Sequence, residues 1–316
     1  MYEGRTDRTP GVESRAVRRL LLVVNAVAQT VTRYARDVIT GALSSEFRVE
    51  VVETKGPGHG AELAAAAVDR KLDLVVAFGG DGTVNDVANG LARTPVPMAV
   101  LPGGGANVFA RSLGMPRDAV EAAGILLERL HEPPRRVPLG RVGERWFLAN
   151  AGMGIDAAIV RRVEGRQLAK RMAGDLSFAW SALRVLFSEF DRRTPHLRVV
   201  LGDQVVDGAF AVMVQNVDPF TYLGDRPIRL CAGASLDGGL DAVALRSLRT
   251  TRLAGLLLRA LRSGAPARRT AAYGHDLSRV TVDADVPMPL QVDGEYVGER
   301  RSVSIESFPE ALTLYG

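Results

Sequence analysis

The stretch Phe78-Gly-Gly-Asp-Gly-Thr-Val-Asn-Asp-Val-Ala-Asn-Gly90 decides the fold. It starts where an apolar run, Leu72–Phe78, interrupted only at Asp73, stops at two glycines. Such a run reads as a strand covered on both faces. Glycines at the carboxyl end of a parallel strand let the backbone approach a ligand closely. The helix expected over Thr83–Leu91 would then present its amides and positive dipole end to a phosphate. Asp81 in this turn is suited to hold magnesium directly or through water. A plain turn with Thr83 or Asp81 as N-cap would not need three glycines, an acid and a threonine in five residues.

Working outward, a second glycine-rich turn follows the next strand, in Leu101-Pro-Gly-Gly-Gly-Ala-Asn-Val-Phe-Ala-Arg111. In a parallel sheet both turns emerge at the same edge and face one ligand. Upstream, Leu20–Asn25 and Phe47–Glu53 read as strands, and Val31–Leu43 and Gly60–Arg70 as helices. Met98–Leu101 completes a strand–helix alternation that predicts a parallel sheet with helices on both sides.

The pattern changes near Pro133-Pro134. Short strand-like runs follow at Arg135–Gly140, Trp146–Ala151, Leu197–Leu201, Ala209–Gln215, Gly239–Leu245, Val280–Val282, Leu290–Val292 and Val303–Glu306. Helices are expected at Asp175–Phe190 and Thr250–Arg262. The expected architecture is therefore α/β: a tail over 1–19, a parallel-sheet nucleotide-binding domain over 20–134, and a mostly-β sandwich over 135–316. This division leaves room for the last strand to return to the first domain.

Composition bounds the function. The chain has 316 residues, with 40 Lys+Arg against 36 Asp+Glu, which is long enough for two cores. A formal charge of +4 is too small at this size to call for nucleic acid. The single cysteine, Cys231, excludes an intrachain disulfide framework and fits a reducing cytoplasm. The apolar stretch Leu20–Val31 is far short of the roughly 20 residues of a membrane span. Met1–Arg19 lacks the apolar core of a signal peptide and reads as a disordered tail.

Other motifs carry two readings each. Asn150-Ala-Gly-Met-Gly-Ile-Asp-Ala157 matches a dinucleotide fingerprint, but no βαβ unit follows, so that reading is rejected. Asp156 stands there at a helix entrance, as a cap or as a functional carboxylate. Asp293-Gly294 is a hairpin signal. His59 reads as a helix-start residue or a nucleotide contact. Thr250–Arg262 reads as a helix packed on the sandwich, or as an apolar stripe between cations lying in an anionic interface. The P-loop, protein-kinase and G-x-S-x-G signatures are absent, and the four histidines lack metal-ligand spacing.

Taken together, the motifs resemble those of the bacterial diacylglycerol kinase-like lipid kinases, which share a catalytic domain with sphingosine kinases. The resemblance runs from about Leu20 to Tyr315. It rests on Gly79-Gly-Asp-Gly-Thr83 with Asn85 and Asn89-Gly90, and on Leu101-Pro-Gly with Asn107 and Phe109-Ala-Arg111. Asn150-Ala-Gly with Gly154 and Asp156, and Gln291-Val-Asp-Gly-Glu295, complete it. Gly58-His59 and Asn216–Gly224 look like the actinobacterial branch.

The resemblance implies ATP in a cleft between the domains, with nucleotide contacts from Thr54 and from Gly79, Gly80, Asp81, Gly82, Thr83, Val84 and Asn85. Gly103, Gly104, Gly105 and Asn107 of the second turn join them. Glu295 is implied as the base on a lipid hydroxyl, Asp156 as the head-group contact, and Asp81 and Asp237 as magnesium ligands. The implied reaction is γ-phosphoryl transfer from ATP to diacylglycerol or a related lipid, at the inner membrane face. Two alternatives stay open, an NAD kinase-like enzyme and a non-catalytic lipid-binding protein, and so does a homodimer. The chain departs from the family pattern at Asn25-Ala-Val-Ala-Gln29, where Asn-Pro and a Ser-Gly-type turn are usual, at Gly105, where Thr or Ser is usual, and around Asp237.

Overall fold

The structure, a computed structural model, describes residues 17–164, 193–262 and 270–316. Four parallel strands form the first sheet, in the order β4-β3-β1-β2: β1 (Arg18–Val24), β2 (Phe47–Glu53), β3 (Leu74–Gly79) and β4 (Met98–Pro102). β3 and β4 are buried along their whole length, as their unbroken apolar runs require. Helices α1 (Arg33–Leu43), α2 (His59–Asp69), α3 (Asp81–Leu91), α4 (Val108–Ser112) and α5 (Ala119–Arg129) complete this domain. Thr32 and Asp118 cap α1 and α5 by accepting amide hydrogens from their first turns.

The second part is antiparallel. Its strands are β5 (Arg135–Val142), β6 (Arg145–Phe147), β7 (Asn150–Gly154), β8 (Leu197–Leu201), β9 (Gln204–Ala209), β10 (Ala211–Gln215), β11 (Thr221–Leu223), β12 (Arg226–Ile228), β13 (Leu240–Leu245), β14 (Ala271–Leu277), β15 (Arg279–Val292) and β16 (Glu295–Leu314). Among the described residues two helices accompany them, α6 (Ile155–Glu164) and α7 (Thr250–Ala260). β11 and β12 form a separate hairpin off the main sheet.

β16 ties the two parts together. It pairs with β15 and β5 along most of its 20 residues, then meets β4 in parallel at Leu314↔Met98. Tyr315 donates its amide to the Met98 carbonyl at 2.9 Å, and Arg93 donates to Ala311 at 2.6 Å. One large core fills the first domain, and two smaller ones lie on the faces of the sandwich sheet.

Several elements differ from the sequence reading. Trp146–Ala151 is not one strand but β6 and β7, because the amides of Leu148, Ala149 and Asn150 leave the ladder for a carboxylate. Val280–Val282 and Leu290–Val292 belong to one strand, β15. α3 starts at Asp81, two residues before Thr83. α5 and the short strands β9, β11, β12 and β14 carry no periodic signal strong enough to be read. The helix expected over Asp175–Phe190 lies outside the described residues.

The two glycine turns touch backbone to backbone. A Cβ on Gly103 would sit 2.7 Å from the Gly79 Cα, and one on Gly104 would sit 2.8 Å from the Gly80 Cα. The glycines therefore serve first to let the turns approach each other. Gly105 differs, since a Cβ there meets only the Gln29 Oε1, at 2.9 Å, the far end of a flexible side chain. Gly104→Ala is expected to lower stability by about 1–3 kcal/mol, the usual range for overpacking, whereas Gly105→Ala is nearly neutral. Urea unfolding of the two variants measures the contrast.

Candidate active site

A cavity of about 450 Å³ opens between the domains. Asp81 and Phe109 line it from the first domain, and Asn150, Asp156, Gln291 and Asp293 from the second. Ile159, Val160, Phe220, Leu148 and Ala149 add apolar wall. Three carboxylates and the amides of Asn150 and Gln291 thus share one cavity with a largely apolar wall.

Asp293 is its anchor. The Asp293-Gly294 pair forms the tight hairpin turn between β15 and β16, with φ of 47° and 77°. The Asp293 carboxylate accepts amide hydrogens from Leu148, Ala149 and Asn150 at 2.8–2.9 Å, and from the Asn85 Nδ2 at 2.7 Å. Burial pushes its carboxyl up to about 6 despite those amides, and the neighbouring Asp81 adds to the rise.

Asp81 lies at the first turn of α3. Its Oδ1 accepts from the Phe109 amide at 3.2 Å, which joins the first glycine turn to the second. Burial raises its carboxyl, and the amides of Val108 and Phe109 oppose the rise. The α3 amides of Gly82 and Thr83 precede the first intrahelical bond, Val84 to Gly80, and so remain available to an anion.

Asp156 opens α6 beside Gln291, whose Nε2 donates to the Asp156 Oδ2 at 3.0 Å and to the Asn150 Oδ1 at 2.9 Å. The Asp156 Oδ1 is buried with no hydrogen-bond partner. A Cβ on Gly152 would fall 1.9 Å from the Asp156 Oδ2, so glycine at 152 makes room for this carboxylate. Burial pushes Asp156 up to about 6 against the hydrogen bond from Gln291. An acceptor aimed into a cavity without a donor is a site for a hydroxyl or ammonium group of a ligand. β7 pairs antiparallel with β10 and β15, which confirms that Asn150–Ala157 is no dinucleotide unit.

Glu295 stands next to this cavity at the start of β16. Its Oε2 is bound by the Arg145 guanidinium, and its Oε1 lies 3.4 Å from where a Cβ on Gly82 would be. Glu295 therefore faces the amino end of α3.

The expected nucleotide residues fall into two groups. Thr54, Gly80, Asp81, Gly82 and Gly105 lie at or beside the ends of β2, β3 and β4, at one edge of the sheet. The others are turned to internal work. The amide of Gly103 donates to the Gly79 carbonyl at 2.7 Å, and that of Gly104 to the Asn107 Oδ1 at 2.7 Å. These two amides are thus already engaged within and between the turns. Thr83 accepts from Asn25, Val84 lies in the core, and Asn85 is spent on Asp293 and the Trp146 carbonyl. His59 accepts the Lys55 amide and closes the loop before α2, as a helix-start residue.

Among the described residues no group of three or more His, Cys, Asp or Glu side chains forms a ready metal cluster. Asp81, close enough to raise Asp293, fits a magnesium ion that arrives with phosphate and keeps water ligands. Asp237 does not fit. Its side chain is 81% exposed and pairs with Arg135 at 3.1 Å. The sequence reading missed Asp293, Gln291 and Arg145. Asp-Gly before Glu295 was a visible signal, but hairpin chemistry explained it without a site.

The comparisons with known proteins agree with this geometry. Residues 19–141 match the family described as the diacylglycerol kinase catalytic domain, and residues 149–316 match the YegS C-terminal NAD kinase beta sandwich-like domain. The chain belongs to the diacylglycerol kinase-like lipid kinase family. A diacylglycerol kinase of Bacillus subtilis is 30% identical over 249 residues, 76% of this chain and 77% of that protein. A protein named "Probable lipid kinase YegS-like" from Chromohalobacter salexigens is 32% identical over 188 residues, 55% of this chain and 58% of its own length. The crystal structure of a diacylglycerol kinase from Bacillus anthracis superposes with a TM-score of 0.69 at 22% identity, covering 95% of this chain and 97% of that one, and so shares the fold. Membership of this family supports a kinase and implies ATP use.

The raised Asp156 carboxyl gives a pH test. Its value of about 6 exceeds the ordinary 3.8, so the folded state holds the proton more tightly and loses stability as pH rises between those values. The full ionisation penalty, of order 3 kcal/mol at 1.36 kcal/mol per unit, is in place above about pH 7. Asp156→Asn is expected to raise the melting temperature at pH 8 and to lose that advantage near pH 3.5. Thermal unfolding across this range reads it directly.

Proposed function

We propose that the protein transfers the γ-phosphoryl group of ATP to a hydroxyl of diacylglycerol or a related lipid. The observation that supports it most is the cavity itself. Ile159, Val160 and Phe220 form an apolar wall, and three carboxylates converge on the same space. That combination suits an amphiphile whose polar head meets the acids and whose chain runs along the wall. A nicotinamide dinucleotide, polar along its whole length, matches that wall poorly. The phosphates of ATP would lie at the amides of Gly82 and Thr83, where the α3 dipole favours negative charge.

Phosphoryl transfer needs positioning and charge neutralisation more than covalent chemistry. Asp81 would hold magnesium, which when bound offsets charge on the phosphates. Asp156 would accept a hydrogen bond from the lipid head through its unpartnered Oδ1 and fix the reacting hydroxyl. Asp293 has both oxygens engaged by four donors, so it positions β7 rather than taking a proton. Glu295 offers an oxygen with no protein partner and is the base in this reading. Arg145 holds the other oxygen and fixes the rotamer.

The test is transfer of radiolabel from ATP to diacylglycerol in mixed micelles, with NAD as competing acceptor. Labelled phosphatidic acid is the expected product, and labelled NADP would overturn the lipid reading. Glu295→Gln keeps the shape and removes the proton acceptor, so turnover is expected to fall about 10²–10⁴-fold while nucleotide binding persists. Turnover within a factor of two of the parent would remove Glu295 from the chemistry.

A further inference from the structure

Between Arg246 and Thr270 the sequence carries seven arginines and no Asp, Glu or Lys. The rest of the chain, with 33 basic and 36 acidic residues, is net negative. The positive charge of the molecule is therefore concentrated in one stretch of 25 residues, centred on α7. Arg268 and Arg269 lie outside the described residues. The other five, Arg246, Arg249, Arg252, Arg259 and Arg262, are all exposed. Many arginines elsewhere are paired with acids, among them Arg36 with Glu53, Arg70 with Glu50, Arg117 with Asp225, Arg161 with Glu299 and Arg279 with Glu306. Among the described residues the five around α7 form no such pair.

The same helix divides its leucines. Leu253 and Leu256 turn inward and pack with Phe210, Leu248 and Cys231. Leu258, 50% exposed, and Leu261 just beyond the helix, 38% exposed, point out among the arginines. The inward cluster also holds Ile159 and Phe220, which line the cavity. The helix and the cavity thus share a wall.

We infer that the outward face of α7, with its flanking arginines, is the surface by which the protein docks on an anionic lipid bilayer. Charge complementarity names the partner's sign, and the exposed leucines name its nature. Leu258 and Leu261 gain free energy at an acyl boundary, where a helix lies with its apolar side chains just below the head groups. A nucleic acid offers them nothing, and the stretch from Arg246 to Thr270 has no aromatic residue on which a base would stack. Docking here sets the cavity wall beside the membrane, so that a lipid enters without crossing water. The inference goes beyond the kinase reading, because it is tested by binding alone.

The experiment is co-sedimentation of the full chain, without ATP, with vesicles of phosphatidylcholine containing phosphatidylglycerol. The parent protein is expected to bind these, to leave pure phosphatidylcholine vesicles in solution, and to be released by salt, which screens the charges. Near-surface arginines contribute about 1 kcal/mol each toward anionic lipid. The triple variant Arg252→Gln, Arg259→Gln, Arg262→Gln should therefore partition about 100-fold more weakly. Leu258→Ser with Leu261→Ser should weaken binding while leaving its salt dependence intact. All five side chains are exposed, and unchanged thermal unfolding verifies the fold of each variant. Equal binding by the triple variant and its parent overturns the inference. So does retention of the parent by duplex DNA with no binding to the vesicles.

Discussion

Everything at the centre of this molecule hangs on the carboxylate of Asp293. Three successive amides, Leu148 to Asn150, turn out of the ladder to reach it, and the Asn85 side chain comes from the other domain to join them. Satisfying three backbone donors with one buried acid fixes where β6 ends and β7 begins. It also fixes α3 against the sandwich, since Asn85 and Asn89 both bond the backbone of Trp146. Truncating a buried charged acceptor of this kind would strand all four donors at once, each costing about 1–3 kcal/mol. The acid that aligns the cavity is thus also the joint between the domains.

That joint explains the spacing of the rest. Asn150 follows directly from the clamp and bonds Gln291, and Gln291 holds Asp156. The Gly294 amide returns to the Gln291 Oε1 at 2.9 Å and sets the first residue of β16, Glu295. A chain of hydrogen bonds therefore runs from the head-group acid to the residue before the proposed base. On the other side Asp81 reaches the Phe109 amide and couples the two glycine turns to the same cavity wall. Each link is 2.9–3.2 Å long and half-buried, so the geometry is set before any ligand enters, as preorganised catalysis requires.

The fold was readable because its first half obeys simple periodicity. Leu74–Phe78 and Met98–Leu101 are apolar without interruption, and only a strand covered on both faces wants that pattern. The glycine turns were readable as sites, but for an incomplete reason. Gly103 and Gly104 are glycine because Gly79 and Gly80 lie against them, and their amides are already used. No local rule announces a backbone-to-backbone contact between segments some 25 residues apart. Asp293 was hidden for a related reason. Asp-Gly is a sufficient signal for a hairpin, and the hairpin is there, so the four donors that converge from residues 85 and 148–150 leave no trace in the local sequence. Trp146–Ala151 misled in the same way, since its apolar run continues through Leu148 and Ala149, two of the residues whose amides abandon the ladder.

Two departures from the family pattern that look unrelated in sequence meet in space. The loop Asn25-Ala-Val-Ala-Gln29 lacks the proline, and Gly105 of the second turn lacks the hydroxyl, that the family resemblance makes usual. Asn25 rebuilds the first loop by itself: its Oδ1 takes the Val27 amide at 3.2 Å and its Nδ2 reaches Thr83 at 3.0 Å. Thr30 then donates its amide to the Gly103 carbonyl at 3.0 Å, which lays the loop along the second turn. Gln29 ends with its Oε1 2.9 Å from the position a Cβ on Gly105 would take. A side chain from one segment therefore stands in the space left by the other, and it brings an amide where a hydroxyl is usual. An amide offers both a donor and an acceptor, so the change replaces the chemistry of the turn rather than deleting it.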